Sequence, residues 1–513
     1  MTSRRASALL GLIALTAFGL ELVFLVSGQH GLTGGLDAGY DESIYVGASW
    51  LLRQGHLPYR DFVYVFPPGF LAVLWPSTTA AGIVGGPALA LTAARVVSCL
   101  VGAVNVYLVG RIGWRWLGVA GGLTAALLFA TTPVVLDAEA VVLQEPFVLL
   151  AVLLALALVS ARPELGGRRL VAVALLLGFA ASIKLVAGVF VVPVVVAAAF
   201  TRPLVDRVRF LVWSVVPLVV STAGLMLWLG WRTPYEQIFA AQLLRPRAGE
   251  GLSRVDSLLP LLRGRTELSG SIADLSPWVA VGAYAIVCVL ASARRGPARL
   301  WGLTGLAVGG VLLASPSYFP HYGVLLAPAV ALLLAWTATV AFRALTVHTS
   351  PRAVAAGVVC VGLVLAGLQL HSGLAAAERW ERTGPGPRLT HALRQPACVV
   401  PVRPQLLLDV DRVPEPGPRG VVFLDVYGSA LLAALHQTVR SHNFSAADAP
   451  SVQAEIRRQS RGCARTLMVD RRCLLGRLDL TAATERWLRA HGRVVVSRGC
   501  VQLLARRAAP AKR

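Results

Sequence analysis

Residues Gly39–Pro76, GYDESIYVGASWLLRQGHLPYRDFVYVFPPGFLAVLWP, form a polar, aromatic and proline-marked stretch in a chain that is otherwise mostly aliphatic. This stretch follows the first long apolar run and precedes the second. Asp41 and Glu42 stand at the start of a predicted helix of about residues 41–53, whose apolar residues recur every three to four positions. A second, more apolar segment is predicted to begin near residue 69. The two acids suit either a helix N-terminus or a role in chemistry.

The chain has 513 residues, of which 56% are hydrophobic and only 14% charged, and its mean hydropathy is +0.66. A soluble protein of this size carries about 25% charged residues. The sequence therefore predicts an integral protein of the lipid bilayer, of mainly α class.

About 11 apolar runs are long enough to be predicted as membrane spans, at about 20 residues per helical span. Only Lys184 separates the fifth run from the sixth. The runs lie at about residues 7–26, 87–109, 117–135, 146–160, 170–183, 185–200, 208–230, 277–292, 300–315, 322–342 and 353–371. The first run also suits a signal peptide, but no clean cleavage site follows it.

The net charge of +22 is spread through short loops and the last part of the chain. No block of Lys and Arg with interleaved aromatic residues is present, so no nucleic acid is expected as a partner. With the N-terminus in the cytoplasm, the inner segments hold fifteen arginines and two acids, whereas acids collect in the outer loops. The Arg-rich loop 231–276 is the exception. This topology predicts a cytoplasmic N-terminus, a first extracytoplasmic loop of residues 27–86 and a C-terminus outside.

Residues 373–513 differ from the membrane portion, residues 1–372, because charged residues and prolines become common. Short strand-like runs alternate with helical candidates, which predicts a small extracytoplasmic α/β domain. The predicted strands are 421–424, 466–469, 493–497 and 501–505, and the predicted helices are 429–435 and 481–490. Four cysteines lie here, Cys398, Cys463, Cys473 and Cys500. They permit disulfides in an oxidising compartment, but their pairing is not readable, and free buried thiols are an equal alternative.

Four short motifs follow one another in the first outer loop: Asp41-Glu42-x-x-Tyr45, Leu51-Leu52-x-x-Gly55, Pro58-Tyr59-Arg60-Asp61 and Pro67-Pro68. Together they resemble the first extracytoplasmic loop of the GT-C membrane glycosyltransferases. The similar bacterial group includes protein O-mannosyltransferases, lipid A aminoarabinose transferases and dolichyl-phosphate-mannose mannosyltransferase-like proteins. The resemblance extends to about residue 345. It implies a polytopic fold that transfers a sugar from a polyprenyl-phosphate carrier on the outer face.

This resemblance also implies roles for several acids. Asp41 corresponds to the acid proposed as catalytic base, and Glu42 lies beside it. Glu145, which precedes a proline, matches an acidic residue of the second outer loop, and Asp137 is the next candidate. Simple helix capping for the first two, and ordinary loop acids for the others, are the alternatives.

Lys184 and His321 are the cationic candidates, because charge grows on the oxygens of a leaving phosphate. An ionisable residue at membrane depth is a functional candidate by default, although a lysine can also snorkel to the interface. Tyr45, Tyr59 and Tyr322 are predicted to contact the sugar or the lipid carrier, or else to form an interfacial belt. Further phosphate contacts are expected from loop arginines, namely Arg245, Arg247, Arg254, Arg263 and Arg265.

The predicted function is an inverting glycosyl transfer from a polyprenyl-phosphate sugar donor to an acceptor hydroxyl on a glycan, lipid or protein. No residue spacing typical of a metal site is present, so no metal or other cofactor is assigned, and members of the family differ in metal dependence. A transporter or lipid-linked sugar flippase is the alternative from another class. It is disfavoured because the spans are nearly free of charge and the acids lie in outer loops. An inactive envelope scaffold is the third alternative.

Overall fold

The computed structural model describes residues 3–27, 39–161, 167–199, 203–245, 271–315, 319–345, 350–378, 386–402, 404–408, 410–416, 422–435 and 444–507. They are mostly helical, as predicted, and fall into two compact units. The first unit consists of Met1–Gly28, Val96–Ser221 and Gly251–Trp380. The second unit consists of Gln29–Arg95, Thr222–Glu250 and Glu381–Arg513.

The apolar runs of the sequence become helices, several of them broken or bent. In the first half of the chain the α-helices are Ser3–Ser27, Tyr40–Arg53, Gly69–Val84, Pro87–Thr131, Pro133–Glu139, Gln144–Ala161, Gly167–Ile183, Val191–Val194, Leu204–Leu229, Arg232–Tyr235 and Ala241–Leu243. In the second half they are Ser271–Ser292, Pro297–Ala314, Ala327–Leu345, Pro351–Glu378, Gly386–Arg394, Gln405–Leu408, Val426–Leu435, Pro450–Gly462, Leu474–Asp479 and Ala482–His491. Short 3-10 helices cover Leu185–Phe190, Pro320–Leu325 and Ala446–Asp448, and π-helical turns cover Val195–Ala199 and Glu236–Ala240.

Six helices of the described residues are long and apolar enough to cross a membrane, as expected of a multi-pass membrane protein. They are Arg4–Val23, Pro87–Thr131, Leu204–Leu229, Pro297–Ala314, Ala327–Leu345 and Pro351–His371. A pair of helices, Pro133–Glu139 and Gln144–Ser160, is bent by 106° and makes a seventh span if both helices count as one. The count of 11 spans therefore stays a prediction.

The backbone turns back on itself within Pro87–Thr131. Gly118 has φ 82 and ψ −179, a conformation that favours glycine because it has no Cβ. A Cβ on Gly122 would lie 2.7 Å from the carbonyl oxygen of Gly110 and 2.6 Å from the backbone nitrogen of Trp114. The two arms of this helix therefore pack closely against each other, and they correspond to the second and third predicted spans.

The second unit contains a four-stranded sheet. Its strands are β1 (Val399–Pro401), β2 (Arg465–Val469), β3 (Gly492–Arg498) and β4 (Val501–Arg506), in the order β1-β2-β4-β3. β1 runs parallel to β2, and the other two pairings are antiparallel. The last three strands match predicted strands. Residues 421–424 were predicted as a strand, but among their described residues only an isolated bridge at Val422 forms.

One hydrophobic core of the second unit combines residues from distant parts of the sequence. Val65 of the first loop, Ala241 and Val426 all belong to it. Val422 also donates its N–H to the carbonyl of Asp61 at 2.8 Å. The C-terminal segment is thus folded together with the first loop.

The four C-terminal cysteines form two disulfides, Cys398–Cys463 and Cys473–Cys500. The first closes a loop of 65 residues and the second a loop of 27 residues. Such closures stabilise a fold mainly by restricting the unfolded chain. The disulfide alternative is therefore confirmed over free thiols.

Candidate functional site

The predicted first-loop helix forms as Tyr40–Arg53, with Gly39 at its N-cap and Asp41 and Glu42 in its first turn. Glu42 is 1% exposed, and both of its oxygens accept hydrogen bonds from Arg95, which is fully buried. The bond from Arg95 Nε to Glu42 Oε2 measures 2.8 Å. Asp41 is half-buried. The two neighbouring acids therefore have different surroundings, and Glu42 is held in a buried ion pair.

Asp425, which no sequence pattern marked, contacts Tyr40, the first residue of helix Tyr40–Arg53. Its Oδ1 accepts hydrogen bonds from the hydroxyl of Tyr40 at 3.0 Å and from the N–H of Gly428 at 2.7 Å. Burial raises the pKa of the Asp425 carboxyl to about 6, and the negative charge of Asp41 adds to this rise. Those two hydrogen bonds and the charge of Arg245 partly oppose it. A second carboxyl thus lies close to the candidate base.

Two predicted aromatic site residues are core residues of the second unit. Tyr45 is 3% exposed, and its ring makes edge contacts with Phe66 and Phe70 at centroid distances of 5.2 and 5.0 Å. Tyr59 is 2% exposed and donates its hydroxyl proton to the carbonyl of Phe66 at 2.7 Å. Its backbone has φ 68, and Gln237 donates to its carbonyl at 3.2 Å. Both tyrosines fix the shape of the loop.

The first unit brings four predicted residues into contact. Lys184 lies in an extended conformation between helix Gly167–Ile183 and a 3-10 helix, so the predicted break at this lysine is confirmed. Its ammonium group forms a salt bridge with Glu145, which is 1% exposed. His321 Nε2 lies 3.7 Å from Glu145 Oε1, and the Lys184 Nζ lies 3.9 Å from the ring centroid of Tyr322.

Another buried acid, Glu139, precedes Glu145 in the sequence. Glu139, at the end of helix Pro133–Glu139, is fully buried and accepts a hydrogen bond from Asn105 Nδ2 at 3.2 Å. The carboxyl of Glu21, also fully buried, lies within hydrogen-bonding reach of it. A Cβ on Gly102 would lie 2.8 Å from oxygens of both carboxyls. Asp137, the acid chosen from the sequence, is exposed instead.

Of the five loop arginines predicted to contact phosphate, the structure describes one. Arg245 is half-buried and its guanidinium lies 5.3 Å from the ring centroid of Tyr427. Among the described ranges no group of three or more His, Cys, Asp or Glu side chains suits a metal ion. The other loop arginines, Arg247, Arg254, Arg263 and Arg265, lie outside the described residues.

The fold is similar to that of several solved structures. No protein-family model and no curated protein matches this sequence. ArnT from Cupriavidus metallidurans in the apo state matches with a TM-score of 0.58 at 16% identity, over 96% of this chain and 97% of that chain. The same protein bound to undecaprenyl phosphate matches with a TM-score of 0.56.

An archaeal structure gives a similar result. The oligosaccharyltransferase AglB from Archaeoglobus fulgidus, in complex with an inhibitory peptide and a dolichol-phosphate, matches with a TM-score of 0.53 at 12% identity. This match covers 90% of this chain and 69% of that chain. The chain therefore shares the fold of these solved structures.

Proposed function

We propose that this protein is a GT-C glycosyltransferase that moves a sugar from a polyprenyl-phosphate donor to an acceptor hydroxyl. The observation that carries the proposal is the likeness of nearly the whole chain to ArnT, which has been solved bound to undecaprenyl phosphate. Likeness to AglB, solved with a dolichol-phosphate, supports the same donor class. One fold can serve many functions, so the role of each residue depends on its own surroundings.

Asp41 is the proposed base. Its carboxylate takes the proton of the acceptor hydroxyl while that oxygen attacks the anomeric carbon of the sugar. The bond from the anomeric carbon to the phosphate oxygen breaks, its electron pair stays on that oxygen, and polyprenyl phosphate leaves. Attack from the opposite face inverts the configuration. The partly buried setting of Asp41 supports this role, whereas the ion pair with Arg95 supports a positioning role for Glu42.

Lys184 is the proposed phosphate contact, with His321 beside it. A cation that lies in place before the reaction stabilises charge as it grows on the leaving oxygen. The salt bridge to Glu145 supports this role, because it offsets the penalty of burying an ammonium group and fixes its position. Tyr322 adds a ring next to the same ammonium.

The remaining details of the proposal come from the sequence. We infer a cell-membrane protein with about 11 spans, a cytoplasmic N-terminus, and the first loop and residues 373–513 outside the cytoplasm. The charge distribution of the short loops supports this orientation. The acceptor is a glycan, a lipid or a protein.

The test is Asp41→Asn in purified membranes supplied with a panel of polyprenyl-phosphate sugars. General-base catalysis contributes about 10²–10⁴-fold, so we expect transfer to fall at least about 100-fold. Asp61→Asn, which removes an acid from the same loop, is the matched control and should keep transfer. Size-exclusion elution of each variant reports folding. Transfer at the wild-type rate by a folded Asp41→Asn variant would contradict the role of Asp41, and no transfer from any donor by the wild type would contradict the function.

A further inference from the structure

The C-terminal domain carries a cleft of about 460 Å³ between the end of helix Pro450–Gly462, helix Ala482–His491 and strand β4. Buried Leu488 and Leu504 contribute apolar surface to it. The volume falls in the range of about 300–1,000 Å³ that is typical of small-molecule sites and exceeds the needs of a bare ion. The cleft can therefore hold a group of the size of a sugar.

The rim of the cleft is basic. Of the described residues that line it, three are arginines, one is a histidine, and none is acidic. Arg461, Arg506 and Arg507 are exposed, and none of them forms a salt bridge with a carboxylate of the described residues. A cluster of unneutralised guanidinium groups favours an anionic ligand, since guanidinium binds carboxylate and phosphate with two parallel hydrogen bonds.

A neighbouring cluster shows the opposite arrangement. Arg472 and Arg489 both bond to Asp470, at 2.8 and 3.0 Å, and Arg489 also bonds to Glu485 at 2.8 Å. These charges are satisfied within the protein. The arginines of the basic cleft differ from this cluster because they have no carboxylate partner among the described residues.

Four contacts hold the basic groups of the cleft in place. The rings of Trp487 and His491 stack with centroids 4.2 Å apart, and His491 Nδ1 lies 2.9 Å from the carbonyl of Trp487. The guanidinium of Arg461 lies 5.2 Å from the Trp487 ring centroid. Arg506 Nη1 donates to the carbonyl of Arg461 at 2.6 Å. Groups fixed before binding lose less entropy when a ligand arrives.

The cleft also contains an unsatisfied polar group. Ser460 lines it and is only 8% exposed, yet its hydroxyl has no hydrogen-bond partner among the described residues. A buried hydroxyl without a partner is unfavourable, by about 1–3 kcal/mol. A ligand with hydroxyl groups or acidic oxygens would satisfy it.

We propose that this cleft binds an acidic sugar unit of the acceptor, so that the acceptor is an anionic glycan. The choice of a sugar rests on the proposed function, whereas the negative charge rests on the cleft. Arg461, Arg506 and His491 would bind the carboxylate, and Ser460 would bind a neighbouring hydroxyl. The cleft would select the acceptor and leave the transfer chemistry unchanged.

Direct binding to the full-length protein in detergent tests this proposal. The probes are an oligogalacturonide, a neutral maltooligosaccharide of equal length and inorganic phosphate, measured by isothermal titration calorimetry. We expect the oligogalacturonide to bind at least about tenfold more tightly than either other probe, and less tightly as salt screens the arginines. Equal affinity for inorganic phosphate would reduce the cleft to a simple anion site, and equal affinity for the neutral sugar or no binding at all would overturn the proposal.

Variants locate the binding site. Arg461→Gln should weaken oligogalacturonide binding about tenfold, the loss of one charged contact. Arg486→Gln removes the same charge from an exposed position on helix Ala482–His491 outside the cleft, and should bind as the wild type does. Equal effects of both variants would show only a general loss of charge and contradict the assignment. The titration contains no sugar donor, so a failure of the transferase proposal and a failure of the cleft give different results.

Discussion

Glu145 and Glu139 lie on the two arms of one bent helix pair, and both are buried, yet their partners differ in kind. Glu145 meets the ammonium of Lys184 and the imidazole of His321. Glu139 meets Asn105 and a second acid, Glu21. An opposite charge stabilises a buried carboxylate, whereas a second carboxylate beside it disfavours its ionised form.

Glu145 holds the ammonium of Lys184 in place, and the proposed phosphate contact depends on that cation. Glu139 faces a second carboxyl from another helix and forms no salt bridge with a cation of the described residues. The position of an acid in a loop sequence does not separate these cases, but the identity of its partner does.

Lys184→Met should have the largest effect on stability and on sugar transfer. It leaves Glu145 buried without its ammonium partner, and breaking a buried ion pair on one side destabilises a fold by about 3–5 kcal/mol. We expect a lower unfolding temperature in detergent and a loss of sugar transfer. The double variant Lys184→Met with Glu145→Gln removes both charges and should regain most of the stability without regaining transfer. An unfolding temperature of the single variant equal to that of the wild type would show that the ion pair does not stabilise the fold.

Asp425 is a third buried acid, and its hydrogen-bond donors, Tyr40 and the N–H of Gly428, are uncharged. Its pKa of about 6 lies above the ordinary 3.8, so between these pH values the folded protein binds more protons than the unfolded chain. The free energy of unfolding should therefore fall as pH rises from about 4 to about 6, by roughly 3 kcal/mol from this group. Asp425→Asn should remove that part of the pH dependence. Thermal unfolding of both proteins across this pH range measures the difference, and identical pH profiles would rule out the buried titration.

Gly102→Ala tests the tight packing around the acid pair. The added methyl group would lie 2.8 Å from oxygens of Glu21 and Glu139, and overpacking of a buried site typically destabilises by about 1–3 kcal/mol. Gly11→Ala places a methyl group on helix Ser3–Ser27 where no atom lies within 4 Å, so it serves as the control. We expect a lower unfolding temperature for the first variant only. Helix propensity alone would raise the unfolding temperature of both variants, so an increase of the same size in both would contradict overpacking at Gly102.

Glu21→Gln should have the smallest effect. The amide of glutamine can donate an N–H to a carboxylate oxygen of Glu139, so we expect a change in unfolding free energy below about 1 kcal/mol. Glu145→Gln, which leaves the ammonium of Lys184 buried without its countercharge, should destabilise several times more. Parallel denaturation of the two variants gives this ratio directly. Equal losses would contradict the difference between the two acids.

The sequence predicted the elements that depend on local patterns. The helix from Tyr40, the helix from Gly69 and the break at Lys184 all appear, because charge, proline and apolar spacing act over a few residues. Strand β1 was missed, since three residues are too few for an alternating pattern. The predicted strand near Val422 failed because this segment pairs with Phe62, far away in the sequence.

The candidate site was predictable only in part, for the same reason. Glu145, His321 and Tyr322 were chosen from the family resemblance, and Lys184 from its charge at membrane depth and the same resemblance. These four residues are in contact. Asp425 and Tyr40 are separated by 385 positions, and no local pattern links them. Tyr45 and Tyr59 were predicted to contact the sugar or the carrier, or to form an interfacial belt, and both rings are buried.

The two disulfides of the C-terminal domain have a consequence for biosynthesis. Cys398 must wait for the synthesis of 65 further residues before its partner exists, and Cys473 waits for 27. Both bonds need an oxidising compartment to form and persist. This requirement agrees with the proposed position of residues 373–513 outside the cytoplasm. Labelling of these four cysteines in intact cells, with and without a reductant, tests that position.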